Sequence, residues 1–363
     1  MTGLTFLCIA ATSQAEVPVD WPALIQKPHE LKKVAAPSLP PLLVQGESSA
    51  TLKDWQAARS KLHARWMAIL GTPPEKPTSL HVEDHGKDRQ PSFDRRVLSF
   101  TAEGDDRIKV ALLVPKNIKP NERRPAAVVI HETTPLTYRQ PAGLAGPADR
   151  HFGVELVQRG FVVLCPECFI LKPPPGVEAA GPINVAKLQA AALKKRRPGW
   201  TGMGKLTFDA SRCVDFLESL DYVDKDRIGC LGFSLGAKQV IYAMAFEPRY
   251  KAGVANEGGV GIRMSNWHDE WYLGATIKDR LTTLDHHQLL ALAAPRALLI
   301  QGGGSADGDA SWPFIAAALP IYRLHGVADR LGLHDHGGKH AFPLNGRRIA
   351  HQWLDQRLDH RPQ

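Results

Sequence analysis

Five residues, Gly232-Phe233-Ser234-Leu235-Gly236, join an apolar strand pattern to a helical one, and this junction narrows the folds open to the chain more than any other feature. Arg227–Leu231 before it reads as a buried strand, and 236–246 after it reads as a helix. A serine flanked at −2 and +2 by glycine in this context sits on a strained strand-to-helix turn. Its hydroxyl projects from the sheet edge, and bulk at either flanking position would strike neighbouring backbone. Further apolar strands follow the same plan: Ala126–Ile130, Phe161–Cys165, Ala252–Asn256, Ala297–Gln301 and Arg330–His334. Helical patterns at about 150–158, 206–220, 310–325 and 345–358 alternate with them. Such alternation predicts an α/β fold, a mostly parallel central sheet flanked by helices on both faces. Ahead of it, Arg96–Thr101 and Ile108–Val114 read as a hairpin turning at Gly104-Asp105-Asp106.

The 363 residues contain no linker-like interruption and no repeat, so a single catalytic unit is expected over 91–363, preceded by an extension over 16–90. Residues 16–50 are proline-rich and aperiodic, an extended arm. Leu52–Leu70 spaces its apolar residues as one amphipathic helix, stopped by Gly71 and Pro73-Pro74. Residues 172–204 form an insertion with little apolar pattern, in the position of a lid or surface loop. The run Leu4–Ala11 followed by Ser13-Gln14-Ala15 reads as the apolar region and cleavage site of a secretory signal over 1–15. Its basic start is missing, as in a truncated signal. Export, to the outside or the periplasm, is the expectation; a chain without that signal would be cytoplasmic. No other segment reaches the ~20 apolar residues of a membrane span.

The net charge of +8 raises the question of nucleic acid. The basic residues are scattered, apart from Lys194-Lys195-Arg196-Arg197 and Arg123-Arg124, and no aromatic interleaving or nucleic-acid module accompanies them. Attraction to an acidic polysaccharide fits the same charge. Cys165-Pro166-Glu167-Cys168 has C-x-x-C spacing, but no second pair completes a zinc site. Buried or loop thiols are the better reading, a Cys165–Cys168 disulfide the lesser one. Neither metal nor cofactor is expected.

A serine hydroxyl needs a base. Beyond the last strand, His334-Asp335-His336-Gly337-Gly338-Lys339-His340 offers three histidines. His340 lies past the flexible glycines and is preferred as the base over His336. A carboxylate must then orient the imidazole. Asp307, just off the strand Ala297–Gln301, is preferred; Asp309 and Glu257 remain alternatives. For an oxyanion hole, Leu235 supplies one backbone N–H from the helix start. The other should come from the loop His131-Glu132-Thr133-Thr134, with Thr133 preferred over Glu132.

These pieces resemble the dienelactone hydrolase and acetyl xylan esterase-like branch of the α/β-hydrolase superfamily. The resemblance rests on His131-Glu132-Thr133-Thr134, Gly160–Leu164, Asp224–Gly236, Gly303–Asp307 and Gly338-Lys339-His340, and covers about 95–357. It implies hydrolysis of a carboxylic ester, without metal or cofactor, on a small-molecule or polysaccharide ester such as decorated carbohydrate. The chain departs from dienelactone hydrolases in having serine rather than cysteine, and from many relatives in having Glu132 where they have glycine. A second similarity is to glucuronoyl esterases, through Lys238 four residues after Ser234 and the aromatic stretch Trp267–Tyr272. By that similarity Lys238, Trp267 and Trp271 would touch a sugar ring, and Glu257 would be the acid. Those esterases carry arginine where this chain has Leu235. The rival expectations are a serine peptidase of similar fold and a non-catalytic binding protein on the same scaffold.

Overall fold

The structure is a computed structural model that describes residues 19–26, 37–43 and 50–362. The signal expected over 1–15 and most of the arm expected over 16–50 lie outside the described residues.

Nine strands form one sheet in the order β1-β2-β3-β5-β4-β6-β7-β8-β9. They are β1 (Glu83–Arg89), β2 (Phe93–Glu103), β3 (Asp106–Pro115), β4 (Arg124–Ile130), β5 (Val162–Pro166), β6 (Val223–Phe233), β7 (Tyr250–Asn256), β8 (Ala297–Gly302) and β9 (Leu331–Asp335). From β5 to β9 neighbouring strands run parallel; β1, β2 and β3 join antiparallel. Period-2 geometry explains why the parallel strands are apolar throughout. In β4, Ala126, Val128 and Ile130 enter one core while Ala127 and Val129 enter the other. The first core is covered by α2 (Leu52–Leu70), α5 (Gly202–Glu218), α6 (Leu235–Phe246), α7 (His287–Ala293) and α8 (Trp312–Leu324). The second is covered by α1 (Trp21–Ile25), α3 (Phe152–Gln158) and α9 (Leu344–Arg357).

Three elements depart from the sequence expectation. The extension over 16–90 supplies α1 as well as α2, and β1 besides. β1 is polar and almost wholly exposed, with a bulge between Asp84 and Gly86. It is held by backbone pairing and by ion pairs such as Arg96–Asp84 at 2.7 Å, so it carries no apolar alternation to read. The insertion 172–204 contains α4 (Pro182–Arg196), which buries Val185, Ala186, Ala190 and Leu193. At the far side of the sheet α1 lies on β9. Ile25 stands where a side chain on Gly332 would need to be, 2.3 Å from its Cβ position, and Gln26 Nε2 donates to Leu331 O at 2.8 Å. Cys165 and Cys168 are both buried free thiols, and Cys168 Sγ donates to Gln239 Oε1. The disulfide alternative is therefore not realised.

Candidate active site

The glycines around Ser234 are dictated by contact. A Cβ on Gly232 would lie 2.2 Å from Gly236 backbone atoms, and one on Gly236 would lie 2.2 Å from Ile130 O. Ser234 adopts φ 54°, ψ −110° between β6 and α6, a left-handed conformation that costs about 1–3 kcal/mol and is imposed by its surroundings. Its N–H is held by Asn256 O at 2.9 Å. Lys238 N–H donating to Ser234 O begins the helix ladder, so the Leu235 N–H ahead of it has no intrahelical acceptor.

His340 Nε2 lies 3.1 Å from Ser234 Oγ. The loop carrying His340 is fixed from below. His336 Nε2 donates to Asn256 Oδ1 at 3.0 Å, Asn256 Nδ2 donates to Ala341 O at 2.9 Å, and His336 Nδ1 accepts from Gly338 N–H. His336, the alternative base, thus braces the loop and does not reach the serine.

The carboxylate beside His340 is Glu257, not Asp307. Glu257 Oε2 stands 3.6 Å from His340 Nδ1, in ion-pair range and a little long for a direct hydrogen bond; such contacts shorten when imidazolium forms. Glu257 follows β7 at φ 58°. Its Oε1 accepts from Gly303 N–H at 2.5 Å, and its Oε2 from Ala306 N–H at 2.6 Å and Asp307 N–H at 3.1 Å. Burial raises its pKa, but His340 and these three donors outweigh burial and hold it below the usual glutamate value. Asp307 is turned the other way. Its oxygens accept from Gly259 N–H, Val260 N–H and Ser311 Oγ, each at 2.8 Å, and burial pushes its pKa up. Each carboxylate is therefore gripped by the loop that carries the other. Asp309, the other alternative, opens the short helical turn 309–311. The readable signal for Glu257 was an acid at a strand end followed by Gly258-Gly259.

At the oxyanion side, β4 pairs with β6 so that Ile130 lies opposite Gly232. Thr133 is exposed. Glu132, the alternative donor, accepts from Gln140 Nε2 at 2.8 Å through its side chain.

The expected sugar contacts are placed differently. Trp267 is fully buried and donates its Nε1–H to Gly259 O; Trp271 is 8% exposed. Lys238 is 4% exposed, donates to Gly258 O and Ser265 Oγ, and lies 4.1 Å over the Trp267 ring. Burial lowers its pKa to about 7. Trp267 and Lys238 thus pack beneath the Glu257 turn, and a ring-stacking platform at Trp267 is ruled out by its burial. Among the described residues no cluster of His, Cys, Asp or Glu could hold a metal ion, and no helix is long and apolar enough to cross a membrane.

The Prolyl oligopeptidase family profile matches residues 198–302, the stretch carrying the Ser234 turn and Glu257. The chain is 27% identical over 164 residues to 4-O-methyl-glucuronoyl methylesterase 1 of Sodiomyces alcalophilus, covering 37% of this chain and 33% of that protein. The match thus spans about a third of that relative's length. A glucuronoyl esterase from Solibacter usitatus superposes with a TM-score of 0.70 at 18% identity, over 90% of this chain and 99% of that one. One from Teredinibacter turnerae gives 0.64 at 23% identity, over 88% and 89%. With its parallel sheet, its Ser234 turn and these likenesses, the chain has the α/β-hydrolase fold.

Proposed function

We propose that the chain hydrolyses a carboxylic ester borne on a carbohydrate, through an acyl-enzyme on Ser234. The observation carrying this reading is the line from Ser234 Oγ to His340 Nε2 at 3.1 Å and from His340 Nδ1 to Glu257 at 3.6 Å. Ser234 attacks the ester carbonyl as His340 takes its proton. Glu257 stabilises the resulting imidazolium, and the N–H groups of Leu235 and Thr133 receive the developing oxyanion. His340 then protonates the departing alcohol, and water releases the acid by the same steps in reverse. The His340 side chain is 46% exposed, an open setting suited to an ester on a polymer.

Within carbohydrate esters, a uronoyl ester is favoured over an acetyl one. Glu257, before a Gly-Gly turn after β7, is where the similarity to glucuronoyl esterases would place the acid, and the methylesterase and glucuronoyl esterases reported above bear that activity in their names.

Ser234→Ala should reduce ester hydrolysis by about 10⁴-fold or more while the circular dichroism spectrum stays unchanged. Retention of a tenth of the activity would sink the mechanism. Parallel assays on a glucuronate methyl ester, acetylated xylan and an aminoacyl anilide decide the class. Turnover mainly of the anilide would mean a peptidase.

A further inference from the structure

We infer that His131 is a positioning residue, which aims the Thr133 backbone N–H at the oxyanion by gripping the carbonyl of the same peptide unit. The inference rests on the reading of Thr133 as an oxyanion donor. His131 directly follows β4 and is fully buried. Its Nε2 accepts from Cys168 N–H at 3.1 Å. A nitrogen that accepts carries no proton, so in the neutral ring the proton is on Nδ1. Nδ1 lies 2.7 Å from Glu132 O and donates to it.

The peptide bond from Glu132 to Thr133 is planar and trans, which points its C=O and N–H in opposite directions. Drawing the carbonyl inward to the imidazole therefore turns the Thr133 N–H outward. The nucleophile turn packs on this same stretch of chain. Ile130 is paired with Gly232 across the strands, and the first turn of α6 packs on β4 closely enough that a Cβ on Gly236 would lie 3.0 Å from His131 O. A free peptide in a loop could rotate and lose the donor; this one is held before substrate arrives, which is what makes such a donor effective. Burial lowers the His131 pKa to about 4, so the ring stays neutral at the pH of ester hydrolysis.

Two substitutions separate the ring's two hydrogen bonds. The amide nitrogen of asparagine reaches the position of Nδ1 and can still donate to Glu132 O. Glutamine carries its carbonyl oxygen out to the position of Nε2, keeping the Cys168 contact and losing the grip. His131→Asn should keep kcat within about fivefold, and His131→Gln should lose about 10²-fold in kcat with KM nearly unchanged. A purely structural histidine predicts that both variants lose stability with no such order in kcat. Gln equal to or better than Asn would overturn the inference. The wild-type protein gives a second test that does not depend on variant folding. ¹⁵N spectra of its histidines should show the His131 ring protonated at Nδ1 only, as expected also for buried His286, whose Nδ1 faces Val260 O; the His131 signals are identified by their loss in either variant, or by sequential assignment if neither folds. Protonation at Nε2 would overturn the inference equally. Failure of the esterase reading itself is distinguishable, because the wild type would then show no turnover dependent on Ser234.

Discussion

Glu257 and Asp307 are both buried, both bound by backbone N–H groups, and differ in what lies beyond. Only Glu257 faces His340, and its pKa is lowered where that of Asp307 is raised. Glu257→Gln should therefore cut kcat by about 10²–10⁴-fold, the scale found when a triad acid becomes an amide. Asp307→Asn should leave kcat within about tenfold. Both oxygens of each carboxylate accept N–H bonds, so either amide sets an NH₂ against a donor, and both variants should melt earlier, by about 1–3 kcal/mol of stability. Kinetics on a p-nitrophenyl ester beside thermal unfolding checks the pair; a crippled kcat in Asp307→Asn alone would restore Asp307 as the acid. Ser234 and His340 were legible because their evidence is local: glycine spacing at one, a glycine-loosened loop after a strand at the other. The acid was not. Asp307 and Glu257 lie in the loops after adjacent strands, and which one turns toward the histidine depends on backbone donors supplied by the opposite loop, contacts that no spacing along the chain encodes. The burial of Trp267 and Lys238 was hidden for the same reason, since helical offset places a side chain near the serine without saying which way it points.

At the scale of elements, runs of Val, Ile, Leu and Ala marked every parallel strand to within a few residues. What stayed hidden is held by charge. Lys205, fully buried in α5, pairs with Asp209 at 2.5 Å and with Asp106 at 2.7 Å at the turn into β3. Burial opposes its charge, but the two carboxylates prevail and raise its pKa, while burial lifts Asp209 to about 7. Nearby Arg197 of the insertion reaches Glu103 of β2 at 2.8 Å. The group ties α5, the hairpin and the end of α4 together through residues that the sequence presents as ordinary surface charge. Lys205→Met should destabilise the protein by about 3–5 kcal/mol in urea titrations, because it leaves Asp209 buried and unpaired. Adding Asp209→Leu should recover much of the loss. A single variant as stable as the wild type would show the group to be dispensable.

Across the whole molecule the buried histidines set the acid limit. Burial lowers His131 and His287 to about 4, and His286 and His351 to about 3. Below pH 6.5 the unfolded chain protonates these rings while the folded chain does not, so their stabilising contribution is present above that pH and falls as pH drops toward 4. Asp209, raised to about 7, works in the opposite direction, together with Glu155, Glu167, Asp285 and Asp307, while His63, His325, His336 and His360 are lowered by burial and add to the four rings. Stability from denaturant titration should fall by roughly 3 kcal/mol between pH 7 and 5.5. A flat or rising profile would mean that the rings are not neutral in the folded state.

The two ends of the sheet have a consequence for life in a crowded solution. An outer strand offers unpaired N–H and C=O groups on which another chain could add itself and start a fibre. On one side that row belongs to β1, where Glu83, Asp84, Lys87 and Arg89 stand exposed and a bulge breaks the line; an incoming strand would have to desolvate charges and match a kink. On the other side α1 lies over β9, and Gln26 already occupies the Leu331 carbonyl. Both margins are thereby obstructed by segments that precede the hairpin of β2 and β3. The N-terminal extension thus guards both edges of the sheet against fibre growth.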